Sequence, residues 1–294
     1  MPEGVIVKGI GGFYYVQTDD TLFECKPKGL MRIGNETPLP GDKVYFDILD
    51  NETNKGTITE LFTRTSLLSR PAVANLTQLL IVVPCAQPEP DLFLADKLII
   101  SAYQHKIRPI LVFNKIDLLS EVINKYAAQY SSSGIQCVLV STLTGEGIAD
   151  LLKRMQNEIS CFAGQSGVGK SSILNAIMEH VVMPTGIVSE KNSRGKHTTR
   201  HAELFALKGK GFVLDTPGFS SYELDDIKFD ELWEYYPEMN DINERCKFKG
   251  CLHISEPDCR VKDKLARGEI TSQRYERYTQ IVIMLKEKYN NRWR

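Results

Sequence analysis

The chain has 294 residues, 42% apolar, 25% charged and 9% aromatic, which excludes a disordered or collagenous polymer and predicts two or three globular domains. Thirty-six Lys and Arg against 37 Asp and Glu leave a net charge of -1, so any nucleic-acid-binding surface must be local. The opening residues lack a basic region followed by an apolar core, and the longest apolar stretch, Leu79 to Ala86, is far too short for a bilayer span; a cytoplasmic protein without membrane contact is expected.

In chain order, VIVKGI, FYYVQT, TLFECKP and KVYFDILD are short strands divided by Gly11-Gly12, Asp19-Asp20 and Pro40-Gly41-Asp42. About five strands in some 60 residues predict a small barrel, and an oligonucleotide-binding (OB) type is the expectation for residues 1–68. Ten acidic against seven basic side chains there would repel phosphate as a whole; Lys26, Lys28 and Arg32 fall together as a contact patch or a solvated loop.

From Leu79 the runs QLLIVVP, PILVFNK, QCVLVST, ISCFAGQ and GFVLDTP alternate with amphipathic helical stretches, the pattern of a parallel sheet covered on both faces, over residues 69–222. Residues 223–294 carry no strands. An acidic segment there leads into a Cys/His cluster and a basic tail, ten Lys and Arg against four Asp and Glu from Arg260 to Arg294. Helical spacing of Tyr275, Tyr278, Val282 and Leu285 makes one face of that tail pack, while the charged face either stays solvated or, with Arg245, Lys247 and Lys249, meets RNA phosphates. Cys25, Cys85, Cys137 and Cys161 stand singly in apolar runs and read as buried reduced thiols.

Three motifs carry nucleotide chemistry. Gly164-Gln165-Ser166-Gly167-Val168-Gly169-Lys170-Ser171, with Ser172 next, follows a strand and opens a helix. Its glycines let backbone N–H groups turn around phosphates, Lys170 meets the β and γ phosphates, and Ser171 gives its hydroxyl to Mg²⁺. Asp215-Thr216-Pro217-Gly218 puts a carboxylate for Mg²⁺ at a strand end and the Gly218 N–H near the γ-phosphate. Asn114-Lys115-Ile116-Asp117 reads guanine: Asp117 accepts from the ring N1–H and the exocyclic amine, which adenine cannot supply. Asn114 would steady that loop, the Lys115 stem would cover the ring, and Ser141-Thr142 would offer a backbone N–H to the guanine oxygen. GTP or GDP and Mg²⁺ are therefore the expected ligands. Asn114 precedes Gly164 by 50 residues, the reverse of the usual order, which makes this a circularly permuted GTPase domain whose site still gathers at the strand ends. The segment after Gly218 runs straight into the C-terminal domain, an expected mechanical route for the nucleotide state.

Cys246-x4-Cys251-x-His253-x5-Cys259 has the donors of a closed tetrahedral Zn²⁺ site, structural because no position is left for water. Its spacing departs from the C-x2-C knuckle, and clustered reduced cysteines are the alternative.

With the permuted order, GQSGVGKSSILNAI, GKHTTRH, DTPGFSS and the Cys/Cys/His/Cys cluster, the chain resembles the circularly permuted small-ribosomal-subunit-dependent GTPases, RsgA, also called YjeQ or CpgA. The resemblance spans nearly the whole chain. It implies an α/β GTPase domain flanked by an OB barrel and a helical zinc-binding domain, with GTP hydrolysis stimulated by the small ribosomal subunit and its rRNA in late assembly or checking, by a monomer. It also makes Thr199 the switch threonine on Mg²⁺ and points to His197 as the residue that orients water, since Phe219 stands where many GTPases carry glutamine. The alternative for His197 is a loop residue that binds RNA. A scaffold for which nucleotide is only a structural ligand is the rival to hydrolysis, and an ATP-dependent kinase is disfavoured by Asp117.

Overall fold

The computed structural model describes residues 1–29, 37–69, 71–118, 120–180, 202–207, 211–215, 224, 227–243 and 246–291. Strands β1 (Glu3–Ile10), β2 (Phe13–Gln17), β3 (Leu22–Pro27), β4 (Lys43–Asp50) and β5 (Lys55–Leu61) close into a barrel ordered β1-β2-β3-β5-β4. Alternation turns Ile6, Val16, Phe23, Cys25, Val44, Phe46 and Ile58 inward as its core, with the Phe23 and Phe46 rings 5.1 Å apart. β4 outruns that core, and Asp47 to Asp50 are all exposed.

A ribbon of β6 (Leu67–Ser69) and β7 (Ala72–Ala74) leads into a six-stranded sheet. It contains β8 (Gln78–Pro84), β9 (Arg108–Asn114), β10 (Gln136–Val140), β11 (Ile159–Ala163), β12 (Glu203–Leu207) and β13 (Gly211–Asp215), in the order β10-β9-β8-β11-β13-β12. Every residue of β8 and β11 is buried, as strands covered on both faces must be. Helix α1 (Leu92–Gln104) packs Leu98 and Ile99 on one face. Helices α3 (Ile148–Arg154) and α4 (Lys170–His180) pack Leu151, Ile173 and Ile177 on the other. The five strands read from the sequence are parallel, as expected; β12, which is not among them, runs antiparallel to β13, because so short a connection can only form a hairpin.

From β8 the chain steps outward to β9 and β10, then returns to β11 on the other flank of β8. That reversal opens a crevice at the carboxyl ends of β8 and β11, where such sheets bind ligands.

The C-terminal region consists of helices α5 (Pro237–Asn243), α6 (Arg260–Ala266) and α7 (Ser272–Asn291) around the Cys/His loop. Tyr278, Ile281, Val282 and Leu285 of α7 are buried, as the helical spacing requires. The charged face of the tail differs from expectation. Arg274 and Arg277 are buried too and pair with Asp96 and Glu238, while Arg260, Lys264 and Arg267 pair at the surface with Asp263 and Glu269. The apolar cluster of this region includes Phe93 and Ile100 of α1, which seats it on the sheet domain. Among the described residues no helix is long and apolar enough to cross a membrane. Cys25, Cys85 and Cys161 are buried and Cys137 is half-buried, all unbridged.

Candidate nucleotide site and metal cluster

The phosphate loop leaves β11 at Gly164 and enters α4 at Lys170. Two of its glycines are obligatory for steric reasons. Gly164 has φ +129°, and a Cβ there would stand 2.5 Å from the Val82 carbonyl oxygen; Gly169 has φ +99°, and a Cβ would stand 2.2 Å from Asn114 Nδ2. Lys170 donates from Nζ to the carbonyls of Gly164 and Gln165, both at 2.7 Å, and burial pushes its pKa below the ordinary lysine value. Ser166, Ser171 and Ser172 are exposed at the mouth, while Val168 is buried beneath it.

The guanine-recognition loop lies directly against the phosphate loop. Asn114, buried at the end of β9, donates from Nδ2 to the Val168 carbonyl at 2.9 Å, and its Oδ1 is buried with no partner among the described residues. Lys115, held at φ +67°, reaches the Gly167 carbonyl at 3.3 Å and also donates to the carbonyl of Gln87. The lysine stem therefore spans from the loop after β8 to the phosphate loop. Asp117 is exposed, and its Oδ1 accepts from Ser141 Oγ at 2.5 Å, which sets the carboxylate against the loop after β10.

The expectation for Ser141-Thr142 is narrowed here. The Ser141 N–H is committed to the Glu146 carbonyl at 3.0 Å, which leaves the Thr142 N–H as the donor of that pair without a backbone partner among the described residues. Gly147, at φ +73°, closes that loop, since a Cβ would come within 1.8 Å of the Leu139 carbonyl oxygen. Sequence reasoning missed Gln87, which acts through its main chain and carries no signal, and the Asn114 link to Val168, which joins residues 54 apart. It also missed the exposed Leu118 and Leu143, each beside a guanine motif. Asp215 ends β13, so its backbone stands at the carboxyl edge of the sheet. His197, Thr199, Gly218 and Phe219 lie outside the described residues, as do Arg32 and Arg245.

The second cluster brings together Cys246, Cys251, His253 and Cys259, whose donor atoms all lie within 4.8 Å of one another. His253 is held at φ +61° and aims Nδ1 at Cys246 Sγ, 3.7 Å away, and at Cys259 Sγ, 3.3 Å away. Those separations suit the edges of a tetrahedron around a Zn²⁺-sized ion. Burial lowers the His253 pKa, which favours the neutral imidazole that a ligand must be; burial pushes the Cys251 thiol up to about 12, so its thiolate needs a cation beside it. Glu256 braces the loop, accepting from the N–H groups of Leu252, Ile254 and Ser255 at 2.8, 2.9 and 3.1 Å. Burial alone would raise its carboxyl; the backbone donors outweigh it and hold the carboxyl below the ordinary glutamate range. Tyr275 and Tyr278 of α7 donate to the His253 and Leu252 carbonyls at 2.6 and 3.1 Å, so the metal loop is pinned to the helix. The donor set, its spacing and its protonation fit a structural zinc ion.

Residues 61–225 match the family model described as RsgA GTPase, and residues 3–58 match that of the RsgA N-terminal domain. A protein of Ruminiclostridium cellulolyticum named small ribosomal subunit biogenesis GTPase RsgA is 49% identical over 98% of this chain and 95% of its own length. One of the same name from Halalkalibacterium halodurans is 42% identical over the full length of both. Among solved structures, YloQ, described as a circularly permuted GTPase, superposes with TM-score 0.82 at 35% identity, covering 98% of this chain and 96% of that one. YjeQ from Thermotoga maritima gives 0.81 at 33% identity over 96% and 98%.

Proposed function

The chain belongs to the RsgA GTPase family and is a GTPase, and from that premise we propose that it hydrolyses GTP on the small ribosomal subunit during that particle's maturation, in the cytoplasm. The observation that carries the reading is the bond from Asn114 to Val168, which makes the guanine loop and the phosphate loop one surface despite their reversed order in the chain.

In this reading Asp117 selects guanine, the Thr142 N–H meets its oxygen, and the Lys115 stem lies along the base. The backbone of residues 164–169 and Lys170 hold the phosphates, Lys170 leaving the loop carbonyls as it does so. Ser171, Thr199 and Asp215 would hold Mg²⁺, which supplies neutralisation of charge on the β and γ phosphates. Water attacks the γ-phosphorus and the bond from it to the β–γ bridging oxygen breaks, so that GDP leaves and phosphate forms, with His197 orienting that water in place of the side chain that Phe219 cannot provide. Cys246, Cys251, His253 and Cys259 would hold one Zn²⁺, whose contribution is to fold the C-terminal loop onto α7. Contacts with rRNA would come from exposed basic groups such as Lys26, Lys28 and Lys249, and not from the ion-paired tail.

The test is GTP turnover by the purified protein, alone and with isolated small subunits, large subunits or joined ribosomes. A rise with small subunits alone, lost in Ser171→Ala and His197→Ala while guanine nucleotide binding persists in the latter, is the expected result. Equal turnover under all conditions would overturn the subunit-triggered reading.

A further inference from the structure

Asp96 lies one turn into α1 and is completely buried, yet its carboxylate meets two cations from the far end of the chain. Oδ1 accepts from Arg274 Nη1 at 2.7 Å and from Tyr130 Oη at 2.8 Å, and Oδ2 accepts from Arg277 Nε at 2.6 Å. Arg274 also pairs with Glu238 of α5 and lies over the rings of Tyr130 and Tyr236. Arg277 reaches Gln129 Oε1 at 2.8 Å, and Thr271 Oγ1 donates to the Gln129 carbonyl at 3.0 Å. Two carboxylates and two guanidinium groups balance inside an interface that already has apolar contacts from Phe93 and Ile100. Adhesion alone did not require buried charge, since apolar replacements of such networks are often neutral or stabilising. What the network adds is a fixed mutual register of the elements that it joins.

Those elements both begin at the nucleotide site. α1 follows the loop whose Gln87 carbonyl receives Lys115, and its first residues, Asp91 and Leu94, share a cleft with Gly164 and Gln165. Helix α2 (Ser120–Ala128) starts three residues after Asp117 and ends against Gln129 and Tyr130. The body of α1 and the distal end of α2 are therefore gripped by one helix, α7, which also pins the metal loop through Tyr275 and Tyr278.

We infer that Asp96 and Arg277 are positioning residues for guanine nucleotide: through them α7 holds the base side of the site, giving the C-terminal domain a second line to the nucleotide besides the segment after Gly218. Reciprocity follows from thermodynamic linkage. A partner that strains the grip of α7 changes guanine nucleotide affinity by the factor that nucleotide changes the partner's affinity.

The experiment compares Arg277→Gln, Arg277→Lys and Gln129→Ala with the parent protein, measuring fluorescent GDP affinity and release, KM and kcat for GTP, thermal midpoint and bound zinc. The expected result for Arg277→Gln is GDP binding weaker by about tenfold, through faster release and a higher KM and not through kcat, with zinc retained. Arg277→Lys keeps the charge and recovers part of the loss. If Arg277→Gln does not fold, Gln129→Ala serves in its place, since it removes the Arg277 bond to the end of α2 while Thr271 still holds the Gln129 carbonyl, and it is expected to speed GDP release severalfold. A lowered thermal midpoint with unchanged GDP affinity and KM would reduce the network to a structural clamp and overturn the inference, as would unchanged release in Gln129→Ala.

Discussion

The sheet domain is held on its two flanks by different physics. On the barrel side the grip is mostly neutral. Asn75 Nδ2 donates to the Gly41 carbonyl at 2.9 Å, Ala74 N to the Pro40 carbonyl at 2.9 Å, and Val5, Val7 and Tyr15 rest on the sheet's apolar cluster. The long-range ion pair there, Lys8 to Glu203 at 3.0 Å, leaves the side chains 21% and 33% exposed. On the other flank Asp96, Arg274 and Glu238 are at most 2% exposed, and the pairs join residues 178 and 181 apart. A screened pair is worth about 0 to 1 kcal/mol, whereas breaking one partner of a buried pair costs about 3 to 5 kcal/mol. The barrel is tethered by its own chain and by shape. The C-terminal domain is fixed by charges that tolerate no loosening.

The largest test of that contrast removes the metal ligands. Cys259→Ser, or chelation of the parent protein, is expected to abolish stoichiometric zinc and unfold the C-terminal region while the barrel persists; metal analysis and domain-resolved hydrogen exchange would read both. Next comes Asp96→Ala, which leaves Arg277 without a carboxylate and Arg274 with Glu238 alone, and should cost about 3 to 5 kcal/mol in denaturant unfolding. Smaller is Glu256→Gln, which weakens three bonds to the metal loop and should cost about 1 kcal/mol. The sign of its pH dependence is fixed. The Glu256 carboxyl is depressed on folding, so its contribution is present above the usual glutamate value of about 4.3 and fades as pH falls below it, and the two proteins should converge in acid. Smallest is Lys8→Met, expected to change stability by no more than about 0.5 kcal/mol and to lose even that in high salt. A Lys8→Met effect as large as that of Asp96→Ala would erase the distinction between the two flanks.

How much of this was legible in the sequence follows the same division. The phosphate loop could be read because its demands are local: a strand, glycines at φ +129° and +99°, then a helix. The barrel could be read because alternating strands and turn residues lie next to each other. Arg274 and Arg277 could not, because a buried arginine in a basic amphipathic helix carries the same letters as a solvated one, and its partner Asp96 sits on another helix, next to Lys97. The antiparallel β12 escaped for a different reason, its five residues alternating too briefly to declare a direction. The sequence left open which N–H of Ser141-Thr142 is offered, because the bond from Ser141 to Glu146 belongs to the turn that follows.

The closed barrel has a further consequence. With β1 paired to both β2 and β4, every barrel strand among the described residues has a neighbour on each side, which disfavours the joining of another chain by sheet extension. Recognition is left to turns and outward side chains, and their balance shifts along the barrel: Asp20, Asp47, Asp50 and Glu52 outnumber Lys55 among the exposed charges at the end where β3 begins and β4 finishes, while Lys26, Lys28 and Lys43 outnumber Glu3 and Glu60 where β3 finishes. A polyanion approaching this domain would turn it before touching it, drawing one end in and pushing the other away.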